Sequence, residues 1–329
     1  MILNILLFGI GLVILIKAAS LLVDGASSLA LKFKISPLVI GLTIVAFGTS
    51  APELVVSVTS AAAGNTGLAF GNIVGSNIAN ILLILGISAC ITPLWVHKNT
   101  VWKEVPMSFL GAVVLVILGF QHIIDSSKFS QFFNNPSSII GNLTFSNGLI
   151  LLSFFIIFIY YTFGIAKVTG EEKPIVKKTP FSKSIFFIIL GLLGLIFGSK
   201  LLVDNAVIFA KTLGVSEQFI GLTLVAIGTS IPELATSIVA ATKKQVELAV
   251  GNVIGSNIFN IFLILGVTAL ISDIPISGQG LSDILVLFLA TMILFISFFV
   301  LKKRIVGRVE GAIMLLSYIL YIFFLILRH

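Results

Sequence analysis

The sequence predicts an all-α polytopic membrane protein with ten transmembrane helices, arranged as two inverted five-helix repeats. The first observation is composition: of 329 residues, 58% are hydrophobic and only 10% are charged, and the mean hydropathy is +1.19. Soluble domains carry about 25% charged residues. The other two observations are an internal repeat at a constant offset of 180 residues and an asymmetric distribution of lysine and arginine.

Ten apolar runs approach the ~20 residues that a helix needs to cross the hydrocarbon core. They cover residues 2–30, 36–63, 67–92, 105–123, 147–166, 184–210, 217–241, 247–271, 280–301 and 309–327. The first run lacks the basic start and the small-residue cleavage site of a signal peptide, so we interpret it as a membrane span. The segment between the fourth and fifth runs, 121–147, is predicted to be a loop with a short interfacial helix.

Lysine and arginine are concentrated in alternate loops between these runs. If both termini are extracellular, the cytoplasmic loops hold 15 of the 20 Lys and Arg residues. Cytoplasmic loops are usually enriched in these residues, so the bias supports both the ten spans and the orientation. Membrane topology also accounts for the net charge of +7, and no nucleic-acid partner is expected.

Three segments recur 180 residues later in the chain. The matching pairs are Leu21–Asp24 with Leu201–Asp204, Gly41–Leu54 with Gly221–Leu234, and Gly71–Gly86 with Gly251–Gly266. Five spans per half is an odd number, so the second half must enter the membrane in the opposite orientation. The predicted domains are a first repeat over 1–166, a basic cytoplasmic linker over 167–183 and a second repeat over 184–329. Such inverted repeats are common in secondary transporters.

Each half places a glutamate, Glu53 or Glu233, in an otherwise apolar span. A charge in hydrocarbon costs at least ~2.5–3.5 kcal/mol, so such a residue is expected to be functional. The proline before each glutamate lacks a backbone N–H, so the helix should open near Gly48–Thr49 and Gly228–Thr229. Carbonyls freed at that depth are tolerated only inside protein or beside a wet cavity.

A second motif adds polar side chains to each half, Ser76 with Asn80 and Ser256 with Asn260. Residues four apart lie on one face of a helix. The glycines around them should allow close helix approach: Gly71, Gly75, Gly251 and Gly255.

The two motifs together supply carboxylate, hydroxyl, amide and carbonyl oxygens, without histidine or thiolate. Such ligands favour Ca2+ or Na+ over softer metals. Two ionised glutamates close together require a countercharge, which one Ca2+ or two monovalent cations would provide. A site satisfied by either cation can exchange one for the other.

The paired GTSxPEL and GNxxGSN motifs, the inverted halves and the ten spans resemble the cation/Ca2+ exchanger superfamily, specifically its Na+/Ca2+ exchanger branch. The resemblance covers most of the chain and implies an electrogenic antiporter of the plasma membrane. It implies exchange of three Na+ for one Ca2+ by alternating access, with no cofactor. The short linker resembles that of a bare prokaryotic transport core, so neither a Ca2+-sensing domain nor a protein partner is expected.

The resemblance also assigns roles to residues of this sequence. Ca2+ would be bound by the carboxylates of Glu53 and Glu233 and by the carbonyls of Thr49 and Thr229. Na+ would use the same glutamates with a further set of oxygens, those of Ser50, Ser76, Ser230, Ser256, Ala46 and Ala226. Asn80 and Asn260 would lie at the centre, in contact with water or a cation. Asparagine at both positions implies that K+ is not required.

Three other functions compete with this interpretation. A H+/Ca2+ antiporter of the same fold is the nearest alternative, because protons compete with cations for glutamates. A passive cation channel is disfavoured, because repeats with charges at the midplane suit an occluded site better than a pore. An intramembrane hydrolase could use two carboxylates, but the YD and GxGD pair of aspartyl proteases is missing. Outside the site, Lys200 stands four residues before Asp204, a spacing that predicts a helical ion pair.

Overall fold

The computed structural model of the protein describes residues 2–96, 98–124, 139–165, 179–212, 226–301 and 304–328. In these ranges nearly all residues are helical. The helices before residue 179 are α1 Ile2–Phe33, α2 Pro37–Thr49, α3 Ala51–Ala62, α4 Thr66–Ile91, α5 Lys98–Ile124 and α6 Phe145–Ile165. The later ones are α7 Phe181–Thr212, α8 Ala226–Gly228, α9 Ile231–Thr242, α10 Val246–Ile271, α11 Gly278–Ile296 and α12 Arg308–Arg328.

The prediction of an all-α polytopic membrane protein is confirmed. Within the described ranges, eight helices are long and apolar enough to cross a membrane, and the bent pair of α2 and α3 makes nine. The predicted span over 217–241 is described only from α8 onward, because residues 213–225 lie outside the described part. Its apolar C-terminal portion is α9.

Helices α1 and α7, which are equivalent in the repeat, pack against each other in antiparallel directions. A Cβ at Gly11, near the start of α1, would lie 2.9 Å from the Leu202 backbone nitrogen near the end of α7. At the other end, a Cβ at Gly25 would lie 2.8 Å from the Ser184 carbonyl oxygen. Small residues therefore bring the two backbones into contact. Antiparallel packing of equivalent helices is what an inverted repeat requires.

The centre of the molecule is formed by α4 and α10. In each of them 78% of the spanning segment is buried, against 28% in α1 and α7. Both central helices contain a π-helical stretch, Ala79–Leu85 in α4 and Phe259–Ile264 in α10. Shorter π-helical stretches lie at Gly41–Val45 within α2 and at Ser297–Leu301 after α11. π-Helical turns occur frequently at functional sites.

Glycines allow α10 to pack directly against α2. A Cβ at Gly251 would lie 2.6 Å from the Leu38 carbonyl oxygen, and one at Gly255 would lie 2.7 Å from the Leu42 carbonyl oxygen. The predicted close approach is thus confirmed for these two glycines. No described atom comes within 4 Å of a Cβ at Gly71 or Gly75. Their repeat-equivalent partners fall mostly in residues 213–225, so close approach there remains a prediction.

Two short antiparallel strand pairs connect the ends of helices. Strand β2, Ile139–Leu143, pairs with β3, Ile274–Ser277, and β1, Leu94–Trp95, pairs with β4, Ile305–Val306. The predicted short helix between 121 and 147 stays a prediction, because residues 125–138 of that segment lie outside the described ranges.

The predicted ion pair between Lys200 and Asp204 is wrong, because the described structure contains no salt bridge between these exposed residues. The repeat-equivalent aspartate does form a pair, but with a different helix. Lys243 Nζ lies 2.6 Å from Asp24 Oδ1 and also donates to Ser20 Oγ over 2.7 Å. This contact joins α1 to the end of α9.

A partly buried ion pair fixes the C-terminal end of α12 to α11. Arg328 donates two hydrogen bonds to the Asp283 carboxylate, over 2.9 and 3.1 Å, and Tyr321 donates a third over 3.3 Å. Hydrogen bonds to a charged group contribute about 1.5–3 kcal/mol. We expect Asp283→Asn to lower the free energy of unfolding by about that amount, as measured by denaturant titration in detergent. A change below about 0.5 kcal/mol would show that this pair is unimportant.

Candidate functional site

Both proline-containing segments break in the same way. α2 and α3 meet at Ser50 with a bend of 44°. Ser50 has φ −81° and ψ 6°, and Ser230, between α8 and α9, has φ −85° and ψ 4°. In both halves the proline is the second residue of the following helix, where its missing N–H costs little. The predicted opening is confirmed, one residue after Thr49 and Thr229.

The breaks bring the two glutamates into one polar cluster, in which each carboxylate is held by the serine of the other half. Ser50 Oγ donates to Glu233 Oε1 over 3.0 Å, and Ser230 Oγ donates to Glu53 Oε1 over 3.2 Å. Both glutamates are fully buried, with 0% of their surface exposed. The predicted meeting of one acidic side chain from each half is therefore present in the structure.

The serines of the second motif differ in their contacts. Ser256 Oγ donates to Glu233 Oε1 over 3.3 Å, so this carboxylate oxygen accepts from one serine of each half. Ser76 Oγ instead lies 3.4 Å from the hydroxyl oxygen of Thr229. Of the four predicted serines, three contact a glutamate and one contacts the threonine beside it.

Each glutamate retains a carboxylate oxygen with no hydrogen-bond donor in the described structure. These atoms are Glu53 Oε2 and Glu233 Oε2, and both are buried. Neither glutamate forms a salt bridge within the described ranges. Two buried carboxylates without a cationic side chain are costly unless a cation is bound or a proton is taken up. The open oxygens suit a hard cation such as Ca2+ or Na+.

The threonines and alanines line the two breaks. Thr49 is buried and its hydroxyl oxygen lies 3.3 Å from the Ala46 carbonyl oxygen, while the amide of Ser50 donates to the same carbonyl over 2.9 Å. In the second half the amide of Ser230 donates to Ile227, three residues back, over 3.0 Å. Ala226 opens α8, and Thr229 is partly buried. The two breaks therefore share their backbone angles but differ in their hydrogen bonding.

Asn80 and Asn260 lie within the π-helical stretches of α4 and α10, and both are fully buried. Asn80 Nδ2 donates to Asn257 Oδ1 over 3.0 Å, whereas its own Oδ1 has no donor in the described structure. Both polar atoms of the Asn260 side chain are also without a described partner. Buried amides are normally satisfied, so these atoms are suited to contact water or a cation.

Several polar side chains of the cluster were not among the predicted site residues. They are Asn72, Asn252, Asn257, Ser57 and Ser237, and all take part in hydrogen bonds around the two glutamates or between α4 and α10. All but Asn257 bond directly to residues of the breaks or to one another. Asn72 and Asn252, like Ser57 and Ser237, are identical residues at the 180-residue offset. Listing every polar identity between the two halves would have found them.

Comparison with known proteins agrees with this geometry. The family model described as sodium/calcium exchanger protein matches residues 3–164 and 183–327. The chain belongs to the sodium/calcium exchanger family. It is therefore a membrane transport protein and not an enzyme.

Relatives of this sodium/calcium exchanger family match nearly the full chain. A protein of Alkalimonas amylolytica that carries the name antiporter CaxA is 39% identical, covering 95% of each chain. Sodium/calcium exchanger MaX1 of Methanosarcina acetivorans is 30% identical, covering 97% of each chain. A solved structure of the sodium-calcium exchanger NCX_Mj, soaked with 2.5 mM Na+ and 0.1 mM Ca2+, is 32% identical. It covers 98% of each chain with a TM-score of 0.80.

Proposed function

We propose that this chain is a secondary active antiporter that exchanges Na+ for Ca2+ across the membrane by alternating access. One observation carries the proposal: two fully buried glutamates, one from each half, each accept a hydrogen bond from the other half's serine and each keep one oxygen with no donor among the described residues. A carboxylate pair of this kind is neutralised by one Ca2+ or by two Na+. Coupled exchange requires a site that binds Na+ and Ca2+ in turn. It also requires that moving the site across the membrane without a bound ion is energetically costly.

We assign the cation ligands as follows. Ca2+ is bound by the carboxylates of Glu53 and Glu233 and by the carbonyls of Thr49 and Thr229. Na+ is bound by the same glutamates together with oxygens of the neighbouring residues, Ser50, Ser76, Ser230, Ser256, Ala46 and Ala226. Asn80 and Asn260 contact water or a cation at the centre. The hydrogen bonds from Ser50, Ser230 and Ser256 to the glutamates support this assignment.

We further propose that the chain exchanges three Na+ for one Ca2+, that each transport cycle moves net charge, and that transport does not require K+. Three Na+ carry one more positive charge than one Ca2+, so each cycle moves one charge across the membrane. Asparagine at positions 80 and 260, rather than an acidic residue, supports independence from K+. No protein partner or cofactor is needed for this cycle.

The hydrophobicity supports a membrane location, and the charge bias supports the orientation. We place the chain in the plasma membrane as a multi-pass protein with both termini extracellular. The two five-helix repeats are 1–166 and 184–329, joined by a cytoplasmic linker over 167–183. Single cysteines introduced at Lys178 and at Lys128, in a background without Cys90, should react with an impermeant thiol reagent from the inside and from the outside, respectively. The opposite pattern would reverse the orientation.

Transport of 45Ca2+ into proteoliposomes tests the proposed exchange. With Na+ inside and Ca2+ outside, an outward Na+ gradient should drive Ca2+ uptake, and replacing internal Na+ with K+ or choline should abolish it. Uptake should increase when a K+ diffusion potential makes the interior positive at constant Na+. Three Na+ leave for each Ca2+ that enters, so each cycle moves one positive charge outward, which this potential favours.

The alternative is a H+/Ca2+ antiporter, which the name antiporter CaxA leaves open because it specifies no ion. Uptake driven by a pH gradient and indifferent to Na+ would establish this alternative. Ca2+ flux that continues with no counter-ion on the opposite side would instead indicate a channel.

A further inference from the structure

Asn252, on α10, connects a residue of its own half to a residue of the other half. Its Nδ2 donates to the Glu233 carbonyl oxygen over 3.4 Å and to Ser237 Oγ over 3.0 Å. Its Oδ1 accepts a hydrogen bond from Thr49 Oγ1 over 3.0 Å. Asn252 and Ser237 are fully buried and Thr49 is nearly so. One amide therefore joins the backbone at Glu233 to the break in the first half.

Asn72, on α4, forms the three equivalent contacts with the two halves exchanged. Its Nδ2 donates to the Glu53 carbonyl oxygen over 3.3 Å and to Ser57 Oγ over 3.0 Å. Its Oδ1 accepts from Thr229 Oγ1 over 3.0 Å. The agreement between the two sets of distances shows that this bridge belongs to the repeat. It is preserved even though the contacts of Ser76 and Ser256 differ between the halves.

The chemistry of this bridge requires an amide. Asparagine presents donors on one terminal atom and an acceptor on the other, so one side chain can satisfy a carbonyl and a hydroxyl that lie on opposite sides. An ionised aspartate accepts only, and would leave the Glu233 carbonyl without this donor while adding a third negative charge. Alanine would leave the buried Thr49 hydroxyl without its partner in the other half. The bridge also uses the single proton of the Thr49 hydroxyl, which fixes the orientation of this side chain.

We propose that Asn252 and Asn72 are positioning residues for Ca2+ binding. Asn252 holds the break of the first half, at Thr49, against Glu233, and Asn72 holds the break of the second half, at Thr229, against Glu53. A threonine carbonyl and a carboxylate from different halves can then bind one cation together. The amide NH2 groups point at oxygens of the protein, so the asparagines act through Thr49, Thr229 and the glutamates without being ligands. This inference rests on the exchange function and the Ca2+ ligands proposed above.

A positioning role predicts unequal effects on the two ions. Ca2+ needs both carboxylates and both threonine carbonyls at the same time, whereas Na+ relies more on serine hydroxyls. We expect Asn252→Ala to raise the half-saturating Ca2+ concentration about 5–10-fold, as for the loss of one buried hydrogen bond. The half-saturating Na+ concentration should change by less than about 2-fold. A general destabilisation of the fold would instead raise the half-saturating concentrations of both ions.

A double-mutant cycle between Thr49→Val and Asn252→Ala tests the bond itself. Both changes remove the same hydrogen bond, so the double variant should be no more impaired for Ca2+ than the worse single variant. The matched control is Asn205→Ala, because the buried amide of Asn205 donates, within the described part of the chain, only to the Leu201 carbonyl of its own helix, over 2.7 Å. This control should leave both half-saturation values unchanged.

Two measurements keep the inference separate from the proposed function. Half-saturation is measured by Na+-driven 45Ca2+ uptake in proteoliposomes and by the Ca2+-dependent rise in unfolding temperature of the purified protein, which requires no transport. Additive effects in the cycle, or equal shifts for Na+ and Ca2+, would overturn the positioning role. If Asn252→Ala does not fold, Thr49→Val alone tests the positioning role. An unchanged half-saturating Ca2+ concentration in Thr49→Val then refutes the inference. A wild-type protein that binds Ca2+ but shows no Na+-driven uptake contradicts the proposed function instead.

Discussion

Replacing Glu53 with glutamine should abolish Na+-driven Ca2+ uptake. The substitution keeps the size of the side chain and an oxygen that can accept from Ser230, but it removes one of the two charges that neutralise the cation. Removing one partner of a buried charge pair typically costs about 3–5 kcal/mol. At 1.4 kcal/mol per tenfold, Ca2+ affinity should fall by at least about 100-fold. Glu233→Gln should have an effect of similar size, because Glu233 is equally buried.

The matched control is Glu310→Gln. Glu310 is also a buried glutamate in a spanning helix, but its carboxylate accepts from the Gly307 amide over 3.0 Å at the start of α12. This variant should retain exchange. Ca2+ uptake by Glu53→Gln within about threefold of the wild type would show that the carboxylate pair does not bind the transported cation. Comparing yields and elution profiles of the purified variants separates loss of transport from loss of folding.

Replacing Gly251 with valine should prevent stable folding. A Cβ at this position would lie 2.6 Å from the Leu38 carbonyl oxygen and 3.1 Å from the Leu42 amide nitrogen. These contacts are with backbone, which cannot move aside as a flexible side chain can. Overpacking costs about 1–3 kcal/mol and occasionally more. Because valine adds two further methyl groups at a backbone contact, we expect a loss of about 3 kcal/mol or more, with a smaller loss for Gly251→Ala.

The matched control is Gly9→Val in α1, where no described atom lies within 4 Å of an added Cβ. This change should leave the midpoint of unfolding in detergent nearly unchanged. Normal stability of Gly251→Val would mean that α10 and α2 separate more readily than their backbone contact implies. A variant that folds but does not transport would show that the contact matters mainly for movement between states.

The position of the two breaks could be predicted because its cause is local. A proline lacks a backbone donor wherever it stands in a helix, so Pro52 and Pro232 indicate an opened helix without any knowledge of the packing. The repeat added a second local argument, because Glu53 and Glu233 occupy equivalent positions in both halves. Burial of a glutamate in a span was itself a reason to expect a partner from the other half.

The hydrogen-bond partners could not be predicted in the same way. Spacing along a helix shows which side chains share a face, but Ser50 donates to Glu233 and not to the glutamate three residues after it. The ion pair of Asp24 with Lys243 joins residues 219 positions apart, whereas the pair expected from local spacing is absent from the described structure. Both contacts depend on how the two halves pack.

The amino-acid order by itself determined the membrane class, the repeat, the helix breaks and the acidic pair, because hydrophobicity, a missing N–H and a buried charge act within a few residues. The tertiary structure decided which half supplies each hydrogen bond, and it showed that Asn72 and Asn252 bridge the halves. It also decided that Ser76 and Ser256, identical residues in equivalent positions, have different partners. Such contacts depend on the relative placement of the two halves, which no local pattern in the sequence encodes.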